Sequence, residues 1–229
     1  EYSVASLPSD GRVEFCIRLM TQADGTPGLA SGWLTQDARI GDEIPMGVRP
    51  TRGFPAAPPE APVILIGNGT GIAGLRGHLK ARAQHETTGG AWLLFGERTR
   101  AHDALYDVDL QGWLASGVLT RLDRAFSRDG GENRYVQSLV AEHARPMADW
   151  VDRGAYVYVC GSLEGMSKGV HAALEAAVGE ERLMRVTGSG RLRILDGPGA
   201  GAAVLADIPA ASLEEDKPRY DRPMRRADE

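Results

Sequence analysis

The strongest constraint on the fold is the stretch of residues 61–74, where an apolar run leads directly into a glycine-rich turn. Residues 63–66 are apolar and β-branched, which indicates a strand that is buried on both faces. Gly67, Gly69 and Gly71 follow at alternate positions, and apolar residues then recur at helical spacing. A strand, a glycine turn and a helix N-terminus together favour an anion, because unpaired N–H groups and the helix dipole both attract negative charge. The stretch therefore predicts a site for the phosphates of a nucleotide.

Composition limits the class of protein. The 229 residues carry a net charge of −5 without a concentrated basic stripe, which argues against nucleic acid as a partner. No apolar run approaches the roughly 20 residues needed to cross a membrane, and the N-terminus lacks the pattern of a signal peptide. Cys16 and Cys160, the two cysteines, lie far apart in sequence, so we expect neither a metal site nor a disulfide framework. These features indicate a soluble, cytoplasmic protein.

The chain divides by composition into four stretches. Residues 1–54 alternate in polarity and are expected to form part of an antiparallel β-domain. The strand candidates there are residues 2–6, 13–20 and 43–48. Residues 55–61 are interpreted as a linker, residues 62–183 as an α/β domain, and residues 184–229 as an atypical, largely disordered tail. Because the first residues already alternate like a strand and no methionine precedes them, the chain looks like a fragment of a longer polypeptide.

From residue 62 onward the pattern alternates between strand and helix. The candidate strands are residues 63–66, 91–95, 119–126 and 156–160, and the candidate helices are residues 72–84, 105–115, 135–152 and 165–178. Apolar strands in this alternation predict a doubly wound parallel sheet with helices on both faces. Ligands of such sheets bind at the carboxyl ends of the strands. Polar residues follow each of the four strands, which predicts one shared crevice.

The glycine turn by itself leaves two interpretations open. Residues 69–74 read Gly-x-Gly-x-x-Gly, and Glu97 ends the next strand. This matches the loose fingerprint of an NAD-dependent Rossmann dehydrogenase, in which the acid would bind a ribose hydroxyl. A tight strand-to-helix turn without a ligand would give the same pattern. The polar residues at the other strand ends favour a nucleotide site.

A second candidate is the loop after the third strand. Its polar residues are Ser127, Arg128, Arg134, Tyr135 and Gln137, arranged around a pair of glycines. Arginine offers phosphate a planar pair of donors, while serine and tyrosine add neutral donors. The loop therefore favours a pocket for a 2′-phosphate, and so NADP over NAD. A solvated charged loop before a helix is the alternative interpretation.

A third candidate is Cys160, which ends an aromatic, β-branched strand directly before Gly161. A lone buried cysteine is usually a packing residue. Its position at the carboxyl end of a strand leaves a role in the crevice open.

Five short motifs occur together in this chain. They are Gly-Asn-Gly-Thr-Gly-Ile-Ala at 67–73, Phe-Gly-Glu-Arg at 95–98, Phe-Ser-Arg-Asp at 126–129, Tyr-Val-Gln at 135–137 and Tyr-Val-Cys-Gly at 158–161. In this order and spacing they resemble the ferredoxin–NADP reductase superfamily, in its diflavin branch of sulfite reductase flavoprotein and NADPH–cytochrome P450 (haemoprotein) reductase type. Residues 2–3 and 28–31 resemble the FAD motifs of that branch. The resemblance covers about residues 1–180 and implies an NADP-binding α/β domain preceded by part of a FAD-binding β-barrel.

The resemblance also implies a role for each matching residue. Catalytic roles fall on Ser3, near the reactive nitrogen of FAD, and on Cys160, against the nicotinamide. The implied FAD-binding residues are Tyr2, Ser3, Gly28, Leu29, Ala30 and Ser31. The implied NADPH-binding residues are Gly69, Thr70, Gly71, Glu97, Arg98, Ser127, Arg128, Arg134, Tyr135, Gln137, Gly161 and Met166, with Arg134 beside the family's usual basic position.

The implied activity is that of an NADPH-dependent oxidoreductase module. Hydride would pass from NADPH to FAD, and electrons would pass singly to an FMN, haem or iron–sulfur acceptor in another domain or partner protein. Two alternatives stay open, namely an NAD-dependent Rossmann dehydrogenase that uses Glu97, and a non-catalytic nucleotide-binding module. The dehydrogenase would need a catalytic base that the sequence does not offer.

Overall fold

The computed structural model describes residues 2–47, 53–86, 88–130, 134–161 and 166–196. At its centre lies a five-stranded sheet with the strand order β3-β2-β1-β4-β5. The strands are β1 (Val63–Asn68), β2 (Ala91–Glu97), β3 (Arg121–Phe126), β4 (Tyr156–Gly161) and β5 (Leu192–Asp196). Every neighbouring pair is parallel. The prediction of a parallel sheet is confirmed.

Helices cover both faces of this sheet. The helices of the sheet domain are α2 (Ile72–Arg82), α3 (Arg100–Asp103), α4 (Asp107–Ser116), α5 (Val136–Glu142), α6 (Ala144–Asp152), α7 (Lys168–Val178) and α8 (Glu180–Gly188), whereas α1 (Leu29–Gly32) lies in the segment before it. One buried apolar core joins the sheet to α2 and α4, and a second joins it to α5, α6, α7 and α8. The sheet is therefore doubly wound, as the sequence predicts.

The order of the strands determines where a ligand can bind. The chain runs outward from β1 through β2 to β3, and then crosses back to place β4 on the other side of β1. Loops leaving β1 and β4 therefore diverge to opposite faces, which opens a crevice at their carboxyl ends. The glycine turn follows β1, so it lies at this crevice.

The helix predicted over residues 135–152 is two helices in the structure. α5 ends at Glu142, and α6 begins at Ala144 after His143, whose φ of −110° and ψ of 28° are not helical. Pro146 explains the break, because its ring would clash with the carbonyl of Glu142 in a continuous helix. In the first turn of α6, by contrast, proline is tolerated.

The expected loss of regular structure from about residue 184 is wrong for residues 184–196. Helix α8 continues to Gly188, and β5 pairs with β4 along residues 192–196. Leu183 and Val186 fix α8 to the core, since both are buried. Arg193 and Asp196 interrupt the apolar residues of β5, and they hid this element from a search for apolar strands. Residues 197–229 lie outside the described residues.

The N-terminal segment, residues 2–47, contains none of the three expected strands. Two isolated bridges are formed instead, Val4 to Phe15 and Thr21 to Pro27. Single pairs of short strands are only marginally stable without further strands beside them. Apolar side chains remain exposed on the segment, namely Val13, Leu19, Met20, Leu29, Trp33, Ile40, Ile44 and Met46. Within this segment, residues 29–32 form the short helix α1.

Ion pairs attach this segment to the sheet domain. Arg76 of α2 donates from Nη1 to the carbonyl of Ala5 at 2.5 Å and to Glu14 at 2.6 Å. Lys80, one turn further along α2, donates to Asp10 at 2.5 Å. These contacts bring residues 2–18 over the start of α2, close to the glycine turn.

His78 of α2 is a buried titratable group in the core. Its ring lies 5.1 Å from that of Phe54 and 4.2 Å from that of Tyr158, between ring centroids. Nε2 has no hydrogen-bond partner among the described residues. Burial, together with the nearby charge of Arg82, lowers the pKa of His78 to about 3. The folded protein therefore holds His78 neutral throughout the mildly acidic range.

This burial predicts a pH-dependent stability. His78 has its ordinary pKa near 6.5 when unfolded, so the unfolded chain takes up the proton first as the pH falls. The contribution of neutral His78 to stability is fully present above pH 6.5 and falls as the pH decreases below that value. We expect this effect to reduce the free energy of unfolding by about 2 kcal/mol between pH 7.5 and pH 5. His78→Phe should remove this loss, whereas His171→Phe, at an exposed position on α7, should retain it. Urea denaturation at the two pH values measures the difference, and an unchanged loss in His78→Phe would contradict the assignment.

Candidate nucleotide-binding site

The turn after β1 has a backbone that favours glycine. Gly69 adopts a φ of +55°, in the left-handed region that other residues rarely occupy. Residues Gly69–Gly71 form a single 3-10 turn, and α2 begins at Ile72. The turn therefore delivers the chain from β1 into the N-terminus of an 11-residue helix, whose first N–H group, that of Ile72, donates back into the turn.

Gly71 packs directly on the end of β4. A Cβ atom at this position would lie 2.4 Å from the carbonyl oxygen of Cys160 and 2.8 Å from its carbonyl carbon. Such distances are well inside van der Waals contact, so the turn can approach β4 only because residue 71 has no side chain. The absence of a side chain at residue 71 thus lets the turn pack closely against the end of β4.

Gly161, which ends β4, makes a second close approach. A Cβ there would lie 2.3 Å from Oδ1 of Asn68 and 2.3 Å from Cε of Met166. Met166 is only 3% exposed and belongs to the core covered by α5 to α8. The structure therefore brings Gly161 to the crevice, while the Met166 side chain packs beneath it.

Cys160 is buried, with 1% of its surface exposed. Burial raises the pKa of its thiol to about 12, so the sulfur stays protonated at neutral pH. A Cβ at Gly74 would lie 3.8 Å from Sγ of Cys160 and 3.8 Å from Oγ of Ser3. The two residues with implied catalytic roles, 157 positions apart in sequence, thus meet at the same glycine of α2.

The ends of β2 and β3 stay paired beyond the strands. Ser127 N–H donates to the carbonyl of Glu97 at 2.8 Å, and Arg128 N–H donates to the carbonyl of Arg98 at 2.8 Å. The side chains of Arg98 and Arg128 are both exposed. Two guanidinium groups therefore lie on adjacent strand ends, where an anionic ligand could reach both.

The start of α5 lies over the same strand ends. A Cβ at Gly96 would lie 3.3 Å from the nitrogen of Val136. Tyr135 immediately precedes α5 and is 48% exposed, and the Gln137 side chain lies 3.4 Å from the Cβ position of Gly169. Arg134, another residue of the predicted pocket, is engaged within the chain, because its Nε donates to Glu142 of α5 at 3.1 Å.

The predicted FAD motif forms a compact turn at α1. Gly28 N–H donates to the carbonyl of Met20 at 2.7 Å, and Ser31 Oγ accepts from Met20 N–H at 3.0 Å. Ser31 is only 4% exposed, whereas Leu29 is 85% exposed. The hydroxyl of Ser31 therefore stabilises the turn, and the N–H groups at the start of α1, at Leu29 and Ala30, are the ones that face outward. Tyr2, half-buried, lies with its ring 6.3 Å from that of Phe15.

Glu97 is engaged by a residue that the sequence analysis missed. Arg18 Nη2 donates to Oε1 of Glu97 at 2.8 Å and to Oε2 at 3.0 Å, and Arg98 N–H donates to Oε2 at 3.1 Å. The Glu97 side chain is 1% exposed. Because its side chain is buried and already paired with Arg18, Glu97 is poorly placed to bind a ribose hydroxyl, which weakens the case for an NAD-dependent dehydrogenase. Arg18 lies 79 positions away in sequence and carries no motif, so no local signal could have found it.

Neither metal-binding clusters nor membrane spans are found in the described ranges. Across residues 2–47, 53–86, 88–130, 134–161 and 166–196, no three His, Cys, Asp or Glu side chains are grouped as metal ligands. None of the helices described there is long and apolar enough to cross a bilayer.

Comparisons with known proteins give consistent matches. Residues 65–172 match the oxidoreductase NAD-binding domain family. The chain is 39% identical over 189 residues to the sulfite reductase [NADPH] flavoprotein alpha-component of Vibrio vulnificus, which is 80% of this chain and 31% of the relative. Identity is 43% over 155 residues to the same component of Photobacterium profundum, and 37% over 155 residues to that of Bacillus subtilis, each alignment covering 67% of this chain and 26% of the relative. The chain thus spans less than a third of the length of the curated relatives it matches.

Proposed function

Since residues 65–172 belong to the oxidoreductase NAD-binding domain family, within a chain 37–43% identical to sulfite reductase flavoprotein components, we propose that this chain is the NADPH-binding module of a flavin-dependent reductase. The observation that carries the proposal is the proximity of the glycine turn after β1 to the polar ends of β2 and β3, with Cys160 and Gly161 of β4 packed against the turn. A strand-to-helix turn without a ligand would not need donors on two adjacent strand ends. The group that receives electrons from the flavin in the whole enzyme is also proposed below.

The glycine turn fits the diphosphate of a dinucleotide. Backbone N–H groups of Gly69, Thr70 and Gly71 would bind the phosphate oxygens, assisted by the dipole of α2. The cradle exists because a side chain at residue 71 would collide with Cys160. Any substitution that fills this space would displace the phosphates and the turn together.

The ends of β2 and β3 fit the 2′-phosphate of NADPH. Arg128 would donate a pair of N–H groups, with Ser127 and Arg98 beside it, because the two strand ends are paired at 2.8 Å. Tyr135 presents an exposed ring on which adenine can stack, and Gln137 lies behind it. Arg134, already bound to Glu142, would contribute less than its position beside the motif implies.

The meeting of Ser3 and Cys160 at Gly74 supports a reaction centre between flavin and nicotinamide. When both cofactors are bound, the nicotinamide supplies a hydride and the flavin accepts it. Tyr2 and Ser3 would orient the flavin ring, and the N–H groups at the start of α1 would bind its diphosphate. Cys160, whose thiol keeps its proton, would provide a neutral surface that excludes water from the nicotinamide.

The relatives suggest what receives the electrons. These relatives are named as flavoprotein components of sulfite reductase. By analogy, the flavin of this module would pass electrons singly to an FMN, haem or iron–sulfur group in another domain or in a partner protein. No nucleic acid is proposed as a partner, because the chain is acidic overall.

The nucleotide assignment is tested by comparing 2′,5′-ADP with 5′-AMP. We expect calorimetric titration to show a preference of about tenfold or more for 2′,5′-ADP, equivalent to about 1.4 kcal/mol. Arg128→Ala should abolish this preference, because the guanidinium that binds the 2′-phosphate is lost. Arg153→Ala is the matched control, since Arg153 is also exposed but lies before β4, at the opposite edge of the sheet.

Two results would contradict the assignment. Equal affinity of the wild-type chain for the two nucleotides would rule out a 2′-phosphate pocket. An unaltered preference in Arg128→Ala would show that other residues hold the phosphate.

A further inference from the structure

Arg18 lies over the glycine turn, although the motifs of the nucleotide site do not include it. Its Nη1 is 3.3 Å from the Cβ position of Gly69. The hydrogen bonds that Arg18 makes to other described residues all use Nη2. The side chain is 32% exposed, so it borders the crevice without being free in solvent. The second terminal nitrogen of the guanidinium is therefore directed at the turn.

Glu97 and Asp103 hold this guanidinium in position. Glu97 contacts Nη2 with both carboxylate oxygens, at 2.8 Å and 3.0 Å, and Asp103 Oδ1 lies 3.5 Å from the same nitrogen. Asp103 is itself fixed, because it accepts hydrogen bonds from the N–H and hydroxyl of Thr99. A long arginine side chain normally loses considerable rotamer freedom on binding a ligand. Here the contacts with Glu97 and Asp103 already restrict that freedom.

The charge of Glu97 makes the position of Arg18 consequential. Oε1 of Glu97 lies 3.7 Å from the Cβ position of Gly69, in a site that we assign to phosphates. The Glu97 side chain is 1% exposed, so water screens its charge poorly. Without a neighbouring cation, this carboxylate would repel an anionic ligand. Arg18 both neutralises it and presents a donor on the side of the turn.

We propose that Arg18 is a ligand of the dinucleotide's diphosphate, held in place by Glu97. This inference rests on the proposed function and extends it, since it adds a cation from the N-terminal segment to a turn whose own donors are backbone N–H groups and the hydroxyl of Thr70. It also gives Glu97 a role different from ribose binding, because the carboxylate orients Arg18. The ion pair between Arg18 and Glu97 thereby links the N-terminal segment, residues 2–47, to the proposed nucleotide site.

The test compares two ligands that differ in the diphosphate. NADP⁺ carries both the 2′-phosphate and the diphosphate, whereas 2′-AMP carries only the 2′-phosphate. We expect Arg18→Gln to weaken NADP⁺ binding by about tenfold or more, because a charge-assisted bond is lost and a carboxylate is uncovered. Binding of 2′-AMP should change by less than roughly twofold, and this would also show that the variant is folded. Arg12→Gln, an exposed arginine on the same segment, is the matched control.

A double variant separates direct contact from charge neutralisation. Arg18→Gln/Glu97→Gln removes the carboxylate together with its partner. We expect NADP⁺ affinity to recover only in part and to stay about fivefold below wild type, since the donor from Arg18 is still missing. Complete recovery would overturn the proposal, because Arg18 would then act only by covering Glu97. Equal weakening of NADP⁺ and 2′-AMP by Arg18→Gln would also overturn it.

The failure of this inference is distinguishable from failure of the proposed function. A wild-type chain that binds neither NADP⁺ nor 2′-AMP contradicts the proposed function. A wild-type chain that binds both, with an Arg18→Gln variant that binds NADP⁺ equally well, contradicts only the role of Arg18.

Discussion

Gly71→Ala is expected to abolish measurable nucleotide binding and to lower the free energy of unfolding by about 2–3 kcal/mol. The backbone at residue 71, with a φ of −59° and a ψ of −20°, would itself accept alanine. The space would not, because the new Cβ would lie 2.4 Å from the carbonyl oxygen of Cys160. The colliding atom belongs to the backbone of a central strand and cannot rotate away. Either the turn or the end of β4 must move, and both form the proposed phosphate site.

Gly112→Ala is the matched control for this variant. Gly112 lies inside α4, and a Cβ there would meet nothing within 4 Å. Alanine should therefore raise the free energy of unfolding, by up to about 1 kcal/mol, through its higher helix propensity. Urea denaturation and titration with 2′,5′-ADP measure the two effects. A Gly71→Ala chain as stable as wild type, with unaltered affinity, would show that the turn does not need the close approach.

Arg76→Met is expected to have the second largest effect, a loss of about 2–3 kcal/mol in the free energy of unfolding. The Arg76 side chain is only 9% exposed, and it donates to the Ala5 carbonyl, to Glu14 and to Asp109. Its guanidinium also stacks 4.5 Å from the centre of the Tyr106 ring. Methionine fills much of the volume but removes the donor to the Ala5 carbonyl and to Asp109, while Glu14 keeps its contact with Arg12. This loss is smaller than the roughly 3–5 kcal/mol expected when a fully buried ion pair is broken. The reason is that Asp109 is 37% exposed and can be hydrated.

The same substitution should also release the N-terminal segment. Since Arg76 is the residue of α2 that binds both Ala5 and Glu14, we expect limited proteolysis to cleave within residues 2–47 faster than in wild type. Arg182→Met is the control, because Arg182 contacts both oxygens of Asp152 at 2.8 Å and 3.0 Å but is 43% exposed. Its loss should cost less than about 1 kcal/mol. Equal destabilisation by the two substitutions would refute the role given to burial of Arg76.

The parallel sheet and its crevice could be predicted because their signals are local. Apolar strands, glycines at residues 67, 69 and 71, and helical spacing after residue 72 each lie within one short window. The break before Pro146 was equally local and should have been predicted. The prediction of strands within residues 2–47 was wrong for the opposite reason. Alternating polar and apolar residues form a strand only where neighbouring strands complete the sheet. Similarly, the charged residues Arg193 and Asp196 make β5 look irregular in the sequence until β4 is placed beside it.

The amino-acid sequence by itself determined the doubly wound fold, the position of the glycine turn, and the motifs that this chain shares with the reductase family. These depend on the periodicity and spacing of residues close together in the chain, which short-range sterics and hydrogen bonding translate into structure. Only the tertiary structure decided the state of the individual groups. It buried Cys160 as a protonated thiol, turned Ser31 inward, bound Arg134 to Glu142, and covered Glu97 with Arg18. Charge and hydrogen bonding in a folded chain depend on which distant residue arrives within 3 Å and on how much water it excludes, and a linear sequence contains neither quantity.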